Sequence, residues 1–258
     1  MQIGAFGKIA DYDRAHEAGF DYIELDLPEI ADLSEEEYQA FKKHVEEVGF
    51  PASVGSRVLP VGEALIFKEG FDKEDWRDYF EKSCARSSGI GVKKVLFGNG
   101  KARALQKPED ADRGEIFLDF IKMLAEICLK NGQELVLEPL GPEYSNYINT
   151  LPQAVECLKK VNMPNFVTMI DLRHAVRGHE PYEDIVSCAE FIHHVHIDYP
   201  GTWPERYFPS VEDNFDYSPF FRALRDGHLD DQMTVEADVP DDWDAAFAKI
   251  KNVMAVYA

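Results

Sequence analysis

This chain of 258 residues lacks several features that define whole classes of protein. Although 45% of its residues are hydrophobic, no apolar run approaches the roughly 20 residues that a membrane-spanning helix needs. Its first residues, MQIGAFGKIADYD, show neither the basic nor the apolar region of a signal peptide. We therefore expect a cytoplasmic protein that has no membrane partner.

Cysteine is scarce, and positive charge is outnumbered. The chain has 27 lysines and arginines against 48 acidic residues, which gives a net charge of −21 with no block of consecutive basic residues. Such a surface repels phosphate backbones, so no nucleic-acid partner is expected. The cysteines are scattered without a CxxC pair, and we expect them to be reduced core residues: Cys84, Cys128, Cys157 and Cys188.

Short apolar runs alternate with longer amphipathic ones along the whole chain. Residues 34–49, for example, begin with a capping-box pair, Ser34 and Glu37, and end at Gly49. The runs predicted as strands are 2–6, 20–27, 50–56, 92–98, 134–140, 166–172, 191–198 and 232–238. The other runs predicted as helices are 9–18, 73–88, 115–131, 151–160, 182–190, 216–225 and 241–257.

Eight strand–helix units in this length predict a closed (β/α)₈ barrel with parallel strands. An open doubly wound sheet would want a glycine-rich phosphate loop after its first strand. The sequence IGAFGKIAD offers only Gly4 and Gly7 there, which is a weak match. Because no linker or change of composition divides the chain, we interpret 1–258 as a single TIM-barrel domain.

The last four predicted strands each end in a side chain that can bind a metal. These are Glu138 in LVLEPL, Asp171 in TMIDLRH, His196 in HVHID and Glu236 in TVEAD. Catalytic groups of a barrel lie at the carboxyl ends of its strands, so the four should meet at one rim. Without a cation, three carboxylates gathered there would repel one another. The donor set favours Mn²⁺, Mg²⁺ or Co²⁺, and it also accommodates Zn²⁺. The alternative to a metal site is that these four residues lie at the barrel rim and form salt bridges with lysines and arginines.

The segment FIHHVHIDYP places three histidines and an aspartate close to one of these ligands. Because alternate residues of a strand face the same side, His194 and His196 should both point into the lumen, while His193 should face the helices and be structural. His194 could either support a metal ligand or simply fill the lumen. Asp198 could contact a substrate or stabilise the loop that follows.

These motifs resemble the xylose-isomerase-like TIM-barrel sugar isomerases and epimerases, which include ketose 3-epimerases and hydroxypyruvate isomerases. The resemblance runs nearly end to end. It is most specific in LVLEPL, IDLRHAVRGHEP, HVHIDYP and TVEADVP. It implies that Glu138, Asp171, His196 and Glu236 bind the catalytic metal. Members of the family often dimerise, so a homodimer is one possible assembly, although no segment of the sequence identifies an interface.

The resemblance also implies residues that bind the substrate. His174 resembles the family's contact to a sugar oxygen, and Arg206, which lies three residues before a proline in RYFP, resembles its orienting arginine. Where epimerases have a glutamate in an NRYES-like sequence, this chain reads GPEYS and places Tyr144, beside Glu143. The resemblance therefore does not indicate how this chain recognises the terminal hydroxyl of its substrate, or which substrate it takes.

Other polar and aromatic residues near the predicted rim could contact a substrate. Lys101 and Arg103, in FGNGKARAL, could bind the phosphate of a sugar phosphate, or they could form salt bridges or a solvated rim. Trp203 and Tyr207 could stack on a sugar face, but packing is the more usual role of aromatic residues in such a loop.

By this resemblance, the reaction removes a C–H proton next to a carbonyl and passes through a metal-stabilised enediolate, with Glu138 and Glu236 as the acid–base pair. The expected substrate is a small keto-sugar or its derivative, free or phosphorylated. Return of the proton to the opposite face gives epimerisation, and its return to the adjacent carbon gives aldose–ketose isomerisation. Loss of a β-hydroxyl instead gives dehydration, as in inosose dehydratases.

Two further readings compete with this one. The endonuclease IV branch of the same barrel fold needs extra histidines from strands three and four. No histidine lies between His44 and His174, and the negative charge opposes DNA binding. A non-catalytic sugar-binding or partner subunit would keep the barrel, but it would have no use for the two opposed bases Glu138 and Glu236.

Overall fold

The computed structural model describes residues 1–258, and its centre is a closed barrel of parallel strands in the order β1 to β8. Each strand pairs with the next along the chain, and β8 returns to pair with β1. The predicted (β/α)₈ barrel is confirmed. The strands are β1 (Gln2–Gly7), β2 (Tyr22–Asp26), β3 (Val54–Ser56), β4 (Lys94–Phe97), β5 (Glu134–Leu137), β6 (Phe166–Asp171), β7 (Ile192–Ile197) and β8 (Gln232–Val235).

Helices follow every strand and cover the outside of the barrel. The predicted helix after β2 has the expected capping box, in which Glu37 N–H donates to Ser34 Oγ and Ser34 N–H donates to Glu37 Oε2. The helices are α1 (Tyr12–Ala18), α2 (Leu27–Asp32), α3 (Glu35–Val48), α4 (Arg77–Gly89), α5 (Gly100–Arg103), α6 (Gly114–Lys130), α7 (Leu151–Val161), α8 (Leu172–Gly178), α9 (Glu183–Ser187), α10 (Ser218–Asp226) and α11 (Trp243–Tyr257).

The predicted strands are correct in number and order, but several extend too far at their carboxyl ends. The run predicted as 134–140 is a strand only over Glu134–Leu137, and the run predicted as 232–238 ends at Val235. Three short helices, α2, α5 and α8, follow their strands almost at once and were not predicted. Leu27 and Leu172, the first residues of α2 and α8, continue the apolar runs of β2 and β6, so periodicity alone does not separate helix from strand there, and α5 is only four residues long.

The core has two parts because each strand has two faces. A cluster of 64 buried residues fills the space between barrel and helices. A smaller cluster of six, which includes Tyr22, Leu96 and Met169, fills the lumen. Gly4 makes room there, since a Cβ on it would lie 2.3 Å from the ring of Tyr22. The tyrosine can then reach across to Thr234, with 2.9 Å between the two side-chain oxygens.

All four cysteines are buried and free, as predicted. The fold nevertheless brings Cys84 and Cys128 together, with 3.8 Å between their sulfur atoms, although they are far apart in sequence. No helix combines the length and the apolar character needed to cross a membrane.

A buried carboxyl group makes the stability of the fold depend on pH. Glu180 follows α8 and accepts a hydrogen bond from the backbone N–H of Leu151, at the start of α7. Burial raises the pKa of Glu180 to about 7 from its ordinary 4.5, against the opposing effect of the Leu151 N–H. The protonated side chain therefore favours folding at low pH, and this advantage is lost as the pH rises from about 4.5 to 7.

We predict that Glu180→Gln raises the melting temperature at pH 8 but has little effect at pH 5. The amide can still accept from Leu151 N–H, and it removes a buried charge that costs about 1 kcal/mol or more after solvent screening. For a domain of this size that corresponds to a gain of roughly 2–4 °C. Calorimetry at the two pH values measures it, with the exposed Glu183→Gln as control. An equal shift at both pH values would show that ionisation of Glu180 is not the cause.

Candidate metal centre and active site

The four side chains predicted as metal ligands come together at the carboxyl end of the barrel. One ligand atom from each of Glu138, Asp171, His196 and Glu236 lies within 4.8 Å of all the others. The first three are buried, and the Glu236 side chain is one-fifth exposed. The cluster is therefore open to solvent on the Glu236 side only.

Strand register explains why residues so far apart in sequence meet. Asp171 is the last residue of β6 and pairs with His196 in β7. Glu138 directly follows β5 and Glu236 directly follows β8, and their backbone N–H groups donate to Phe97 and Ile197 of the neighbouring strands. Around the closed barrel, Asp171 and His196 lie in the middle, and the two glutamates flank them on either side.

Asp171 also begins the next helix. Its Oδ1 accepts from the backbone N–H of His174 at 3.1 Å, which caps α8 and leaves Oδ2 facing the cluster. Burial would raise the pKa of Asp171, but His174, Arg206 and His196 together lower it below its ordinary value. The carboxylate is thus fixed in orientation and ionised.

Glu138 lies in a space that only glycine can leave open. A Cβ built on Gly98 would lie 1.9 Å from Oε2 of Glu138. The other oxygen, Oε1, is buried without a hydrogen-bond partner, and it lies 3.9 Å from His196 Nδ1. A buried carboxylate oxygen without a partner is uncommon and calls for an explanation. A cation bound within the cluster would supply one.

His196 is held by a carboxylate that the sequence motifs did not reveal. Glu24, in β2, is fully buried, and its Oε2 lies 3.0 Å from His196 Nε2. This contact leaves Nδ1 facing Glu236, Asp171 and Glu138. Burial would lower the pKa of His196, but Glu24 and Glu236 raise it well above its ordinary value. Because Nε2 is occupied by Glu24, Nδ1 is the nitrogen of His196 that could bind a metal.

His194 lies one layer deeper in the lumen, as the alternation of the strand predicts, and its ring is 5.0 Å from that of His196. Its Nε2 lies 3.3 Å from the same oxygen of Glu24 and 3.1 Å from Oγ1 of Thr234. Burial lowers the pKa of His194 to about 4, so the ring is neutral at neutral pH. His194 therefore supports His196 through their shared contact with Glu24. His193 faces outward and contacts Glu134.

His174 and Arg206 both reach the cluster. Nε2 of His174 lies 3.4 Å from Glu138 Oε1. Burial would lower the pKa of His174, but Asp171 and Glu138 raise it above its ordinary value. The guanidinium of Arg206 contacts Asp171 at 2.9 Å, Asp198 at 2.8 Å and also Glu236. Arg206 therefore borders the open, Glu236 side of the cluster, and the buried His174 borders the opposite, Glu138 side.

Asp198 is enclosed rather than presented to the cavity. Its Oδ2 accepts from Arg206 Nε and, at 2.6 Å, from Nε of the fully buried Arg173. Arg173 also donates to the carbonyl oxygens of Thr202, Tyr199 and Glu205, which fixes the loop that carries Arg206. Of the two roles considered for Asp198, this placement favours stabilisation of the loop.

Aromatic side chains form one wall of the site. The ring of Tyr144 lies 4.5 Å from that of His174 and 4.9 Å from that of Trp203, edge to face in both cases. Trp203 is about half exposed and packs under Arg177, which pairs with Glu143. Glu143 is therefore engaged outside the cluster, and Tyr207 is exposed beyond it.

The suggestion that Arg103 binds a phosphate is wrong. Its side chain is fully buried, and Nη2 donates to the carbonyl oxygens of Glu138 and Ile148. Arg103 therefore supports the backbone of a cluster residue from behind. Lys101, by contrast, is exposed at the rim.

The donor set fits a divalent cation. Three carboxylates and one imidazole nitrogen converge, and Oε1 of Glu138 accepts no hydrogen bond, its nearest polar neighbour being His174 Nε2 at 3.4 Å. Mostly oxygen donors with a single nitrogen suit Mn²⁺, Mg²⁺ or Co²⁺. Glu24 forms the outer carboxylate that commonly orients a metal-binding histidine. Its only signal in the sequence is a carboxylate in the middle of an apolar strand, FDYIELDL.

We predict that Glu24→Gln weakens the binding of Mn²⁺ about 10- to 100-fold, because the amide cannot hold the Nε2–H of His196 as a carboxylate does. Calorimetric titration of the chelator-treated protein measures this, with the exposed Glu46→Gln as control. Unchanged affinity with the folded state intact would leave Glu24 as a packing residue only.

We predict that Gly98→Ala displaces the Glu138 carboxylate, since the added methyl would overlap Oε2. Overpacking of this kind costs about 1–3 kcal/mol. If this cost falls on metal binding and not on folding, it corresponds to a loss of roughly 10- to 100-fold in Mn²⁺ affinity. Gly178→Ala is the matched control, because a Cβ there meets nothing within 4 Å. Equal affinities of the two variants would contradict the prediction.

Comparison with known proteins agrees with this architecture. A probable ketose 3-epimerase of Synechocystis sp. is 24% identical over 230 residues, which cover 85% of this chain and 74% of that protein. The structure of D-allulose 3-epimerase from Methylomonas sp. in complex with D-allulose superposes with a TM-score of 0.83 at 16% identity, covering 100% of this chain and 97% of the other.

A second solved structure, the apo form of 3-keto-D-glucoside 4-epimerase from E. coli, superposes with a TM-score of 0.79 at 19% identity and covers 99% of both chains. The sequence profile described as "Xylose isomerase-like TIM barrel" matches residues 12–253. This chain therefore belongs to the xylose isomerase-like TIM barrel family.

Proposed function

We propose that this protein is a divalent-metal-dependent epimerase of a small keto-sugar or its derivative. The observation that carries the proposal is the position of Glu138 and Glu236, which flank one cluster from β5 and β8 with Asp171 and His196 between them. Two carboxylates on opposite sides of one carbon can remove a proton from one face and return a proton to the other.

Glu138, Asp171, His196 and Glu236 would hold the metal. When bound, the ion polarises the substrate carbonyl and stabilises the negative charge that develops as the neighbouring C–H proton leaves. The native ion is proposed to be Mn²⁺, Mg²⁺ or Co²⁺, on the basis of the donor set.

Glu236 is suited to remove the proton. Burial would raise the pKa of Glu236, but Arg206 and His196 lower it below its ordinary value, so the carboxylate is ionised at neutral pH. Its side chain is also the most exposed of the four and therefore the most accessible to a substrate. Glu138, on the far side and in contact with His174, would serve the opposite face.

His174 and Arg206 would orient the substrate. Both present N–H donors at the edge of the cluster, and a polyhydroxy substrate offers oxygen acceptors to them. Nε of Arg206 is fixed by Asp198, and the backbone N–H of Arg206 donates to Asp238. The guanidinium is thus held in place before a substrate arrives, which lowers the entropic cost of orienting it.

Epimerisation is preferred among the outcomes because the relatives found by sequence and by structure include several named epimerases of ketoses. A dehydratase is the second candidate, since a probable 3-DHS dehydratase shares the fold with a TM-score of 0.74 at 18% identity. Both reactions begin with the same proton removal, so the same residues serve either one.

We predict that Glu236→Gln abolishes exchange of the substrate C–H for solvent deuterium while the fold is retained. The amide keeps one oxygen donor but cannot accept a proton, and loss of a general base costs about 10²–10⁴ in rate. Proton NMR of D-fructose or D-allulose in D₂O with Mn²⁺ measures the exchange. Glu205→Gln, at an exposed position next to Arg206, is the matched control.

Exchange by Glu236→Gln at the wild-type rate would remove Glu236 from the mechanism. A wild-type protein that binds ketoses but incorporates no deuterium into any of them would instead be a non-catalytic sugar-binding subunit. Release of water together with a new ultraviolet-absorbing enone would identify the dehydratase.

A further inference from the structure

A second recess lies beside the cluster, at the carboxyl ends of β3 and β4. It has a volume of about 440 Å³, within the range of cavities that hold small molecules. Its walls come mainly from the segments after these two strands, together with Tyr144. Tyr144 is the link to the cluster, because its ring also contacts His174, which touches Glu138.

The charge of this recess differs from that of the rest of the surface. Four other cavities, of 300 to 430 Å³, are each lined by at least one aspartate or glutamate. The recess beside Tyr144 is lined by no acidic residue, although the chain has 48 of them, and it contains both Arg57 and Lys101. Arg57 is paired with Asp26 and Lys101 has no ion-pair partner, so the recess carries a local positive charge on a protein whose net charge is −21.

Arg57 is paired with a carboxylate beside this wall. Its Nε and Nη2 donate to the two carboxylate oxygens of Asp26 at 2.9 and 2.5 Å, which leaves Nη1 without a protein partner. The Arg57 side chain is 59% exposed, so a ligand in the recess can reach it.

Lys101 faces Arg57 from the neighbouring segment. Its side chain is exposed and takes part in no ion pair of the structure. The two segments are tied together by Asn99, whose side chain accepts from the backbone N–H of Leu59 and donates to the carbonyl oxygen of the same residue. These two hydrogen bonds join the segments that carry Arg57 and Lys101, and both residues line the same recess.

From these contacts we propose that the recess binds an anionic group at the end of the substrate distant from the reacting carbon. This inference rests on the proposed function, and it narrows the substrate class to a ketose that carries a terminal phosphate or carboxylate. Arg57 Nη1 and Lys101 Nζ would donate to the anion, while Tyr144 would cover the carbon chain between the anion and the cluster.

The placement of Tyr144 and Glu143 supports this assignment. Tyr144 lines the recess and brings no carboxylate to it, and the neighbouring Glu143 is paired with Arg177 outside the recess. The wall that the anion would approach therefore carries no negative charge.

The test compares D-fructose, D-fructose 6-phosphate and D-fructuronate, which end in a hydroxyl, a phosphate and a carboxylate. Dissociation constants are measured by calorimetry with Mn²⁺ present, and the rate of C–H exchange is followed in D₂O. We expect at least one anionic ketose to bind about tenfold or more tightly than fructose, since hydrogen bonds to charged groups are the strong ones. The better anion identifies the natural terminal group.

Lys101→Gln and Arg57→Gln are expected to reduce the ratio of the anionic to the neutral affinity towards one, and Lys101→Glu should bring it below one. The ratio in the wild-type protein should also fall as salt is added, because the preference is electrostatic. Lys130→Gln, an exposed lysine at the end of α6, is the control and should keep the wild-type ratio. Lys101 is exposed and forms no ion pair, so its substitution should leave the fold intact. The Lys101 variants therefore test the site even if Arg57→Gln unfolds.

Equal affinity for the three ketoses, or a preference that survives in Lys101→Glu, would overturn the proposal. A preference for anions without any C–H exchange would retain the anion site and overturn the proposed epimerase. If the C–H groups of all three ketoses exchange at equal rates and the three ketoses bind with equal affinity, the proposed epimerase is retained and the anion site is overturned.

Discussion

The central constraint on this structure is electrostatic: five carboxylates lie together at one end of the barrel lumen, where water is largely excluded. Glu24, Glu138, Asp171 and Asp198 are buried, and Glu236 is mostly so. Buried charges of one sign are costly unless cations neutralise them. The site meets this requirement with Arg173, Arg206, His174 and His196, and the fit of a divalent cation to the remaining oxygens follows from the same constraint.

The polar cluster shares β2 and β6 with the apolar lumen residues, but Glu24 follows Tyr22 and Asp171 follows Met169, nearer the carboxyl ends of these strands. The apolar part of the lumen comes from β2 to β6, and the large core lies outside the barrel. His194 and His196 lie on β7 and contact Glu24 across the lumen, and Thr234 on β8 contacts His194. Functional side chains can therefore change at the strand ends without disturbing the packing that closes the barrel, which is the general property of this fold.

The candidate site residues were predictable from sequence because a polar residue at the end of an apolar run is a strong local signal, although the exact strand ends were not. Glu138, Asp171, His196 and Glu236 stood out for this reason, and the barrel brings them together. Glu24 carried no such signal, since a glutamate inside an apolar strand also fits a solvated edge. The suggested phosphate contact of Arg103 was wrong because a basic residue in a rim loop is usually exposed. The burial of Arg103 depends on its contacts with the carbonyl oxygens of a segment distant in sequence.

The order of the strands decides how the two glutamates can act. Glu138 and Glu236 follow β5 and β8, and β6 and β7 intervene with Asp171 and His196. Residues at the ends of adjacent strands would lie on the same side of a bound sugar, whereas in the proposed epimerase these two would approach from separate sides. A single base that both removed and returned the proton would restore the original configuration. The proposed inversion would therefore require this separation, and it is the closed barrel, not either residue alone, that separates the two glutamates.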